Sequence, residues 1–244
     1  MPKYFTGTEN IDNEFAVISG DEAKHILNVM RMGTGDSLVI CDGQRNDYCC
    51  TICETGKNYL KAKINEKSIC GTEPETDITI FQGLPKSDKM ELIIQKCVET
   101  GVCRIVPVVT ERAVVKIEKG PREEKKLERW RKISESAAKQ SGRGIIPEVL
   151  KPVSFLEAVK MARGLDRAVI PYENEYKTGL KEFLKQAKSG ETVAVFIGPE
   201  GGFAESEIEE AVKNGVVPVT LGKRILRTET AGIVTAAIIL YELG

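Results

Sequence analysis

The sequence predicts an α/β protein in which a small β-barrel of about 70 residues precedes a larger domain built on a mostly parallel sheet. Three observations carry this reading. Up to about residue 68 short apolar runs are separated by tight turns; from residue 77 onward strand-like and helix-like segments alternate. The chain has 244 residues, 41% hydrophobic and 29% charged, enough for one large or two smaller cores.

In the first part, Gly35-Asp36, Asp42-Gly43 and Gly56-Lys57-Asn58 punctuate strands predicted at 37–41 and 48–53. At 60–64 apolar residues alternate with Lys61 and Lys63, so one face is buried and the other offers both lysines to solvent or phosphate. A short helix is predicted over 21–32, and 71–76 reads as a linker. The domains are accordingly 1–70 and 77–244.

In the second part, strands are predicted at 78–84, 104–109, 168–170, 192–197 and 216–221. Helices are predicted at 87–100, with Ser87 or Asp88 as cap and Gly101 closing it, then at 121–140, 154–163, 178–187 and 205–214. This alternation argues helices on both faces of the sheet. The last segment, 230–243, is apolar nearly all round and must be buried within the domain or against a second subunit, which favours a homodimer.

No apolar run approaches the roughly 20 residues that cross a bilayer, and the start lacks a signal-peptide layout, so a cytoplasmic protein without membrane partners is expected. Seven cysteines, an odd number, then read as reduced thiols. Cys50 and Cys53 form a CxxC, but positions three apart in a strand point to opposite faces and His25 is the lone histidine; no metal is expected. The net charge of −1 conceals a basic stripe of eight cations between Lys116 and Lys132, against four carboxylates. Such a stripe, including Arg129, Arg131 and Lys132, either neutralises RNA phosphates or forms a solvated helix laced with i,i+4 ion pairs.

Two glycine-containing turns are the most informative features. Ile197-Gly198-Pro199-Glu200-Gly201-Gly202-Phe203 and Leu221-Gly222-Lys223-Arg224-Ile225-Leu226-Arg227-Thr228-Glu229-Thr230-Ala231 each leave an apolar run and enter a helix-like segment. They should meet at the carboxyl ends of neighbouring strands, where α/β sheets keep small ligands. Neither is a Walker loop or G-x-G-x-x-G, so a neutral or zwitterionic cofactor read by backbone groups fits better than a polyphosphate. The alternative is a tight structural turn with Gly201 and Gly202 at positive φ.

These turns, together with Lys86-Ser87-Asp88-Lys89-Met90-Glu91, residues 96–101, Thr110-Glu111-Arg112 and Ser136-Ala137-Ala138-Lys139-Gln140-Ser141-Gly142-Arg143, resemble the RsmE family of 16S ribosomal RNA uridine-N3 methyltransferases, in the SPOUT superfamily. His25, Val29, Arg31, Gly35 and Asp36 resemble the signature of that family's PUA-like barrel, so the likeness covers nearly the whole chain. It departs at Lys3, where arginine is usual, and at Met30, where leucine is. The lysine lacks arginine's bidentate fork and could alter an RNA contact. The resemblance implies a C-terminal domain tied in a deep trefoil knot, an exception to unthreaded topology. It also implies a dimer, an S-adenosylmethionine site and small-subunit rRNA as partner. Carried over, the cofactor site comprises Gly198, Glu200, Gly201 and Gly202, then Leu221, Gly222, Ile225, Leu226, Arg227 and Thr228, with the turn after Ile170 as a third wall.

Methylating uracil N3 requires in-line alignment and a way to remove or stabilise the N3 proton's charge. Arg112, Arg143 and Arg227 sit in the matching motifs and suit the electrostatic role; salt bridges to Glu111, Glu135 or Glu229 are the structural alternative. Glu229 is a candidate base, or a first-turn acid of the last helix. His25 reads better as a packing residue beside Ile26 and Val29, or as one near RNA, than as the base. RNA contacts are expected from Lys3, Arg31, Lys61, Lys63, Arg129, Arg131, Lys132, Gln140 and Arg143. Three rivals stand beside this reading: a non-catalytic RNA-binding protein, a methyltransferase of the same superfamily acting elsewhere on RNA, and a Rossmann-type oxidoreductase, which lacks its phosphate fingerprint here.

Overall fold

The computed structural model describes residues 3–86, 88–113 and 120–244. These form two compact units. The first comprises the chain up to Glu73 with 138–146, and the second comprises Pro74–Ala137 with Pro147–Gly244. Residues 138–146 pack with the first unit although they lie well inside the C-terminal part of the chain.

The first unit is a five-stranded, half-barrel sheet in the order β1 (Lys3–Phe5), β3 (Ser37–Cys41), β4 (Asn46–Thr55), β5 (Tyr59–Ile69), β2 (Phe15–Ser19). β1 and β3 are parallel and the other pairs antiparallel. The edges β1 and β2 are linked through Thr6 Oγ1, which donates to Val17 O at 2.9 Å, rather than by a strand ladder. Alternation buries Leu38, Ile40, Cys50, Ile52, Leu60 and Ala62 on one face. Cys50 lies in this core, where burial pushes its thiol up to about 12, whereas Cys53 is exposed. The predicted helix at 21–32 is shorter and less regular than its sequence suggested: α1 (Gly20–Lys24) passes into a π-helical turn over His25–Val29.

Lys3 and Glu73 fasten 138–146 to the rest of this unit. Lys3 Nζ lies 2.7 Å from Asp47 and donates to Gly142 O at 2.9 Å. Burial alone would lower the lysine's pKa, but Asp47 and Cys70 outweigh it and raise it. The Arg143 side chain, 3% exposed, meets Glu73, 2% exposed, at 2.6 Å; Glu73 also accepts from the N–H groups of Gly144 and Ile145.

The second unit is a wholly parallel sheet in the order β12 (Val217–Val219), β10 (Arg167–Pro171), β11 (Thr192–Ile197), β6 (Asp77–Gly83), β7 (Arg104–Val109), β8 (Glu148–Val149), with β9 (Val153–Ser154) also on β7. Its central strands are apolar on both faces because helices cover both. Phe81 and Phe196 stack at 4.6 Å and join Phe155 and Val159 of α4 (Phe155–Ala162) and Ile208 of α6 (Glu205–Lys213). The opposite face receives α7 (Thr228–Leu243), which also packs on α2 (Lys89–Thr100). The Ser154–Glu157 capping box starts α4, and Gly101 in the left-handed region ends α2. α3 (Pro121–Gln140) buries Leu127, Trp130, Ser134 and Ala137 at helical spacing; α5 is a short helix, Leu180–Leu184.

Within the single chain the terminal helix is buried on one face only. Ile239 and Leu243 are buried, but Ala237, Ile238 and Tyr241 lie exposed on the far face, Tyr241 at 85%. Among the described residues no helix is long and apolar enough to cross a membrane, and no group of three His, Cys, Asp or Glu side chains is placed to hold a metal ion.

Candidate active site

The two glycine-containing turns leave the carboxyl ends of β11 and β12. These strands are not neighbours, because β10 lies between them. The turns nevertheless meet through side chains. Thr228, buried at the first position of α7, donates from Oγ1 to the Gly198 carbonyl at 2.6 Å and accepts from Gln82 Nε2 at 2.9 Å. Gln82 is fully buried near the end of β6 and also donates to Gly83 O at 2.9 Å. One amide on the central strand thus holds the roots of both turns.

The first turn is tight, with Gly202 N donating to Pro199 O at 3.0 Å. Gly202 has φ +67°, a backbone conformation that favours glycine, and the Glu173 carboxylate lies beside it. Gly201, by contrast, is not in the left-handed region. Glu173 follows β10 and stands where a third wall was expected. Arg112 closes the other side, donating from Nη1 to Gly201 O at 3.2 Å. Its position is set by the buried Glu207, which accepts from Glu111 N at 2.9 Å.

A lysine joins the two turns a second time. Lys89, at the start of α2, lies 2.9 Å from Glu200 and 3.3 Å from Glu229. The Glu200 carboxylate also accepts from Lys86 N at 3.2 and 3.3 Å. Burial would raise the pKa of Glu200, but Lys89 and the backbone donors win, so it falls below the usual carboxylate value. The Lys89 pKa is raised, first by its hydrogen bond to Glu200. Ser87, one of the two expected caps of this helix, lies outside the described residues.

The second turn stands open to solvent. Gly222 bonds Thr220 Oγ1 through its N–H and its carbonyl, Leu221 and Leu226 are half-buried, and Ile225 is 89% exposed. The Arg227 side chain is 81% exposed, with Nη1 4.0 Å from Glu229. Glu229 itself is mostly buried at the first turn of α7. The residues expected to hold a cofactor therefore lie on two turns of one unit, the first hydrogen-bonded to its surroundings and the second exposed.

The other expected site residues are distributed differently. Arg143 lies in the first unit with its guanidinium buried against Glu73. Lys3 is likewise buried against Asp47. On the surface of the first unit are Arg31, at φ +55°, Lys63 and Gln140, while Lys61 lies 4.0 Å above the Phe15 ring. His25 is exposed, so it is not a packing residue beside Ile26. On α3, Arg129 pairs with Glu91 at 2.8 Å, Lys132 with Glu128 at 3.0 Å, and Arg131 Nε donates to Val149 O. Lys116 and Lys119, also counted in the stripe, lie outside the described residues. Gln82, Lys89 and Glu173 had no role assigned from sequence. The one signal for Gln82 was a polar residue inside an otherwise apolar strand.

Comparison with known proteins gives this arrangement its relatives. Residues 72–240 match the model of an RNA methyltransferase domain, and residues 18–65 match that of an RNA methyltransferase PUA domain. The Ribosomal RNA small subunit methyltransferase E of Bacillus subtilis (strain 168) is 35% identical over 92% of this chain and 89% of its own. The protein of that name from Mycobacterium bovis is 33% identical over 90% and 83%. Among solved structures, the Ribosomal RNA small subunit methyltransferase E from Neisseria gonorrhoeae, bound to S-adenosyl methionine, superposes with a TM-score of 0.87 at 31% identity, covering 100% of this chain and 98% of that one. With two matching family models, full-length relatives above 30% identity and the same fold, the chain belongs to the ribosomal RNA small subunit methyltransferase E family.

Proposed function

We propose that this protein transfers a methyl group from S-adenosylmethionine to N3 of a uridine in the 16S RNA of the small ribosomal subunit. The observation that carries the proposal is the joint between the two turns, Gln82–Thr228–Gly198, which ties a glycine-lined turn after β11 to the exposed turn after β12 in a parallel sheet. Family membership supplies the reaction class.

The donor set fits a zwitterionic cofactor. Gly198, Glu200, Gly201 and Gly202 would hold it from one side; Leu221, Gly222, Ile225, Leu226, Arg227 and Thr228 would hold it from the other. When bound, the sulfonium supplies an electrophilic methyl group for in-line displacement by the uracil nitrogen. The protein's part is to hold the base in line and to stabilise charge on O2 and O4 as the N3 proton leaves. Arg227, exposed at the rim, and Arg112, on the back of the first turn, are the guanidinium groups placed for this. Glu229, mostly buried beside Lys89, is the candidate carboxylate for taking the proton. Arg143 and Lys3, both buried in ion pairs, hold the first unit together in this reading.

RNA would be gripped by Arg31, Lys61, Lys63 and Gln140 on the half-barrel unit and by Arg129, Arg131 and Lys132 on α3, with the target uridine turned out of its stack. The domain assignment, 1–70 for RNA and 77–244 for catalysis, belongs to the same proposal. So do a trefoil knot and a homodimer. The return of α7 beneath the middle strands, rooted at Gly198, supports the first; the exposed Ile238 and Tyr241 on α7 support the second. The test is incubation of small subunits lacking the modification with labelled S-adenosylmethionine, followed by nucleoside mass spectrometry. Labelled 3-methyluridine is expected, and another methylated nucleoside overturns the assignment of N3.

A further inference from the structure

Beside the open second turn, another loop presents an aromatic ring to solvent. Tyr176 is 80% exposed between β10 and α5. Its turn is nevertheless well held, since the Glu175 carboxylate accepts from the N–H groups of Lys177 and Thr178 at 2.6 and 3.0 Å. Those bonds draw the Glu175 carboxylate below the usual range and spend it on its own backbone. The loop is tied directly to the second cofactor wall: Thr220 N donates to Thr178 O at 2.9 Å, and Leu180 N to Thr220 O at 3.2 Å. Tyr176 and Lys223 thus stand two and three residues from a hydrogen-bonded pair.

The charges around the ring favour one kind of partner. Lys177, Lys223 and Arg224 are exposed; Lys223 and Arg224 have no carboxylate partner among the described residues, and Lys177 acts on the Glu175 carboxylate only through its charge, without a hydrogen bond. Arg227 adds a fourth cation, 4.0 Å from Glu229. Of the nearby carboxylates, Glu175 is occupied by backbone N–H groups, Glu173 faces Gly202, and Glu229 faces Lys89. An exposed ring on a fixed turn, flanked by exposed cations, is the arrangement that binds single-stranded nucleic acid: bases stack on the ring and phosphates meet the cations. A surface for a second protein chain would pair or deplete its lysines.

We infer that Tyr176, with Lys177, Lys223 and Arg224, forms a stacking platform for a nucleotide flanking the methylated one, so that single-stranded RNA is held at the mouth of the cofactor site by the catalytic unit itself. The inference rests on the proposed function for the identity of the neighbouring site. The platform supplies position and affinity, and no chemistry.

The full-length protein should be titrated by fluorescence anisotropy against a labelled, uridine-containing single-stranded oligoribonucleotide at several salt concentrations. Tyr176→Ala should weaken binding by about tenfold, the loss of one base stack, and Tyr176→Phe should restore it. The double variant Lys223→Ala, Arg224→Ala should lower the slope of log K against log salt by about 1.4, equivalent to two single-strand phosphates. Calorimetric titration with S-adenosylmethionine should be unchanged by Tyr176→Ala. Wild-type RNA affinity in Tyr176→Ala overturns the platform, as does a change in its sedimentation mass, which would assign the ring to a second copy of the chain. Failure of the wild type to bind S-adenosylmethionine would instead remove the proposed function while leaving the RNA measurement readable.

Discussion

Thr228 Oγ1 donates to the carbonyl of Gly198 at 2.6 Å, across thirty residues of chain. That bond, backed by Gln82, makes two separate turns into one site. Thr228→Ala takes the Thr228 hydroxyl from both the Gly198 carbonyl and the buried Gln82 amide, which keeps only its bond to Gly83 O, a cost of about 1–3 kcal/mol. A lowered melting temperature and about tenfold weaker S-adenosylmethionine binding in calorimetry are expected. Unchanged affinity would separate the joint from the cofactor site.

Gly201→Val tests the first wall without straining the backbone. A Cβ at Gly201 would lie 3.2 Å from Arg112 Cβ and 3.4 Å from Arg112 O, so valine's two further methyl groups must displace Arg112 or project into the site. Loss of cofactor binding with a near-wild-type circular dichroism spectrum and melting temperature is expected. Wild-type affinity by calorimetry would contradict the placement of the cofactor here.

Arg129→Ala, Arg131→Ala and Lys132→Ala together test α3 as an RNA-binding element. Arg129 and Lys132 already have carboxylate partners on the protein, at 2.8 and 3.0 Å, but both are largely exposed, where such pairs contribute little to stability. The triple variant should fold normally, bind small-subunit RNA more weakly and show a flatter salt dependence, by about 0.9 in slope for each duplex phosphate no longer neutralised. Equal binding at every salt concentration would leave α3 as a solvated helix.

Glu73 links stability of the first unit to pH. Burial would raise its pKa, but Arg143 and the two backbone N–H groups outweigh that, and the folded-state value lies below the ordinary one. The pair's contribution is therefore complete above the unfolded-state pKa of about 4.3 and is lost as pH falls through the lower, folded-state value. Glu73→Gln removes a charged partner of the buried Arg143 guanidinium and should lower stability near neutrality by about 1–3 kcal/mol. Melting curves between about pH 7 and pH 3 should show the variant less stable at the upper end and less sensitive to acid. An acid profile parallel to wild type would locate the dependence elsewhere.

Local chemistry made much of the fold legible in the sequence. Strand 192–197 and helix 121–140 have the extents their patterns suggested, because a mostly apolar run and an amphipathic twenty-residue segment leave little choice of partner or period. The short elements β1, β8 and β9 carry too few residues for a pattern, and their strand character comes from a neighbour's ladder. The arginines divide on the same principle. Arg112, Arg143 and Arg227 looked alike in their motifs, yet one braces a glycine turn, one is buried in an ion pair and one is open to solvent.

The amino-acid order alone determined the two glycine-containing turns, the alternation that builds a parallel sheet, and the family likeness, since each depends on residues close together in the chain. Only the tertiary structure decided that β10 separates β11 from β12, that Gln82 and Lys89 each hold both turns, and that 138–146 packs with the first unit. Those relationships join residues tens of positions apart, and their energies come from burial and hydrogen bonds that exist only once the sheet has assembled.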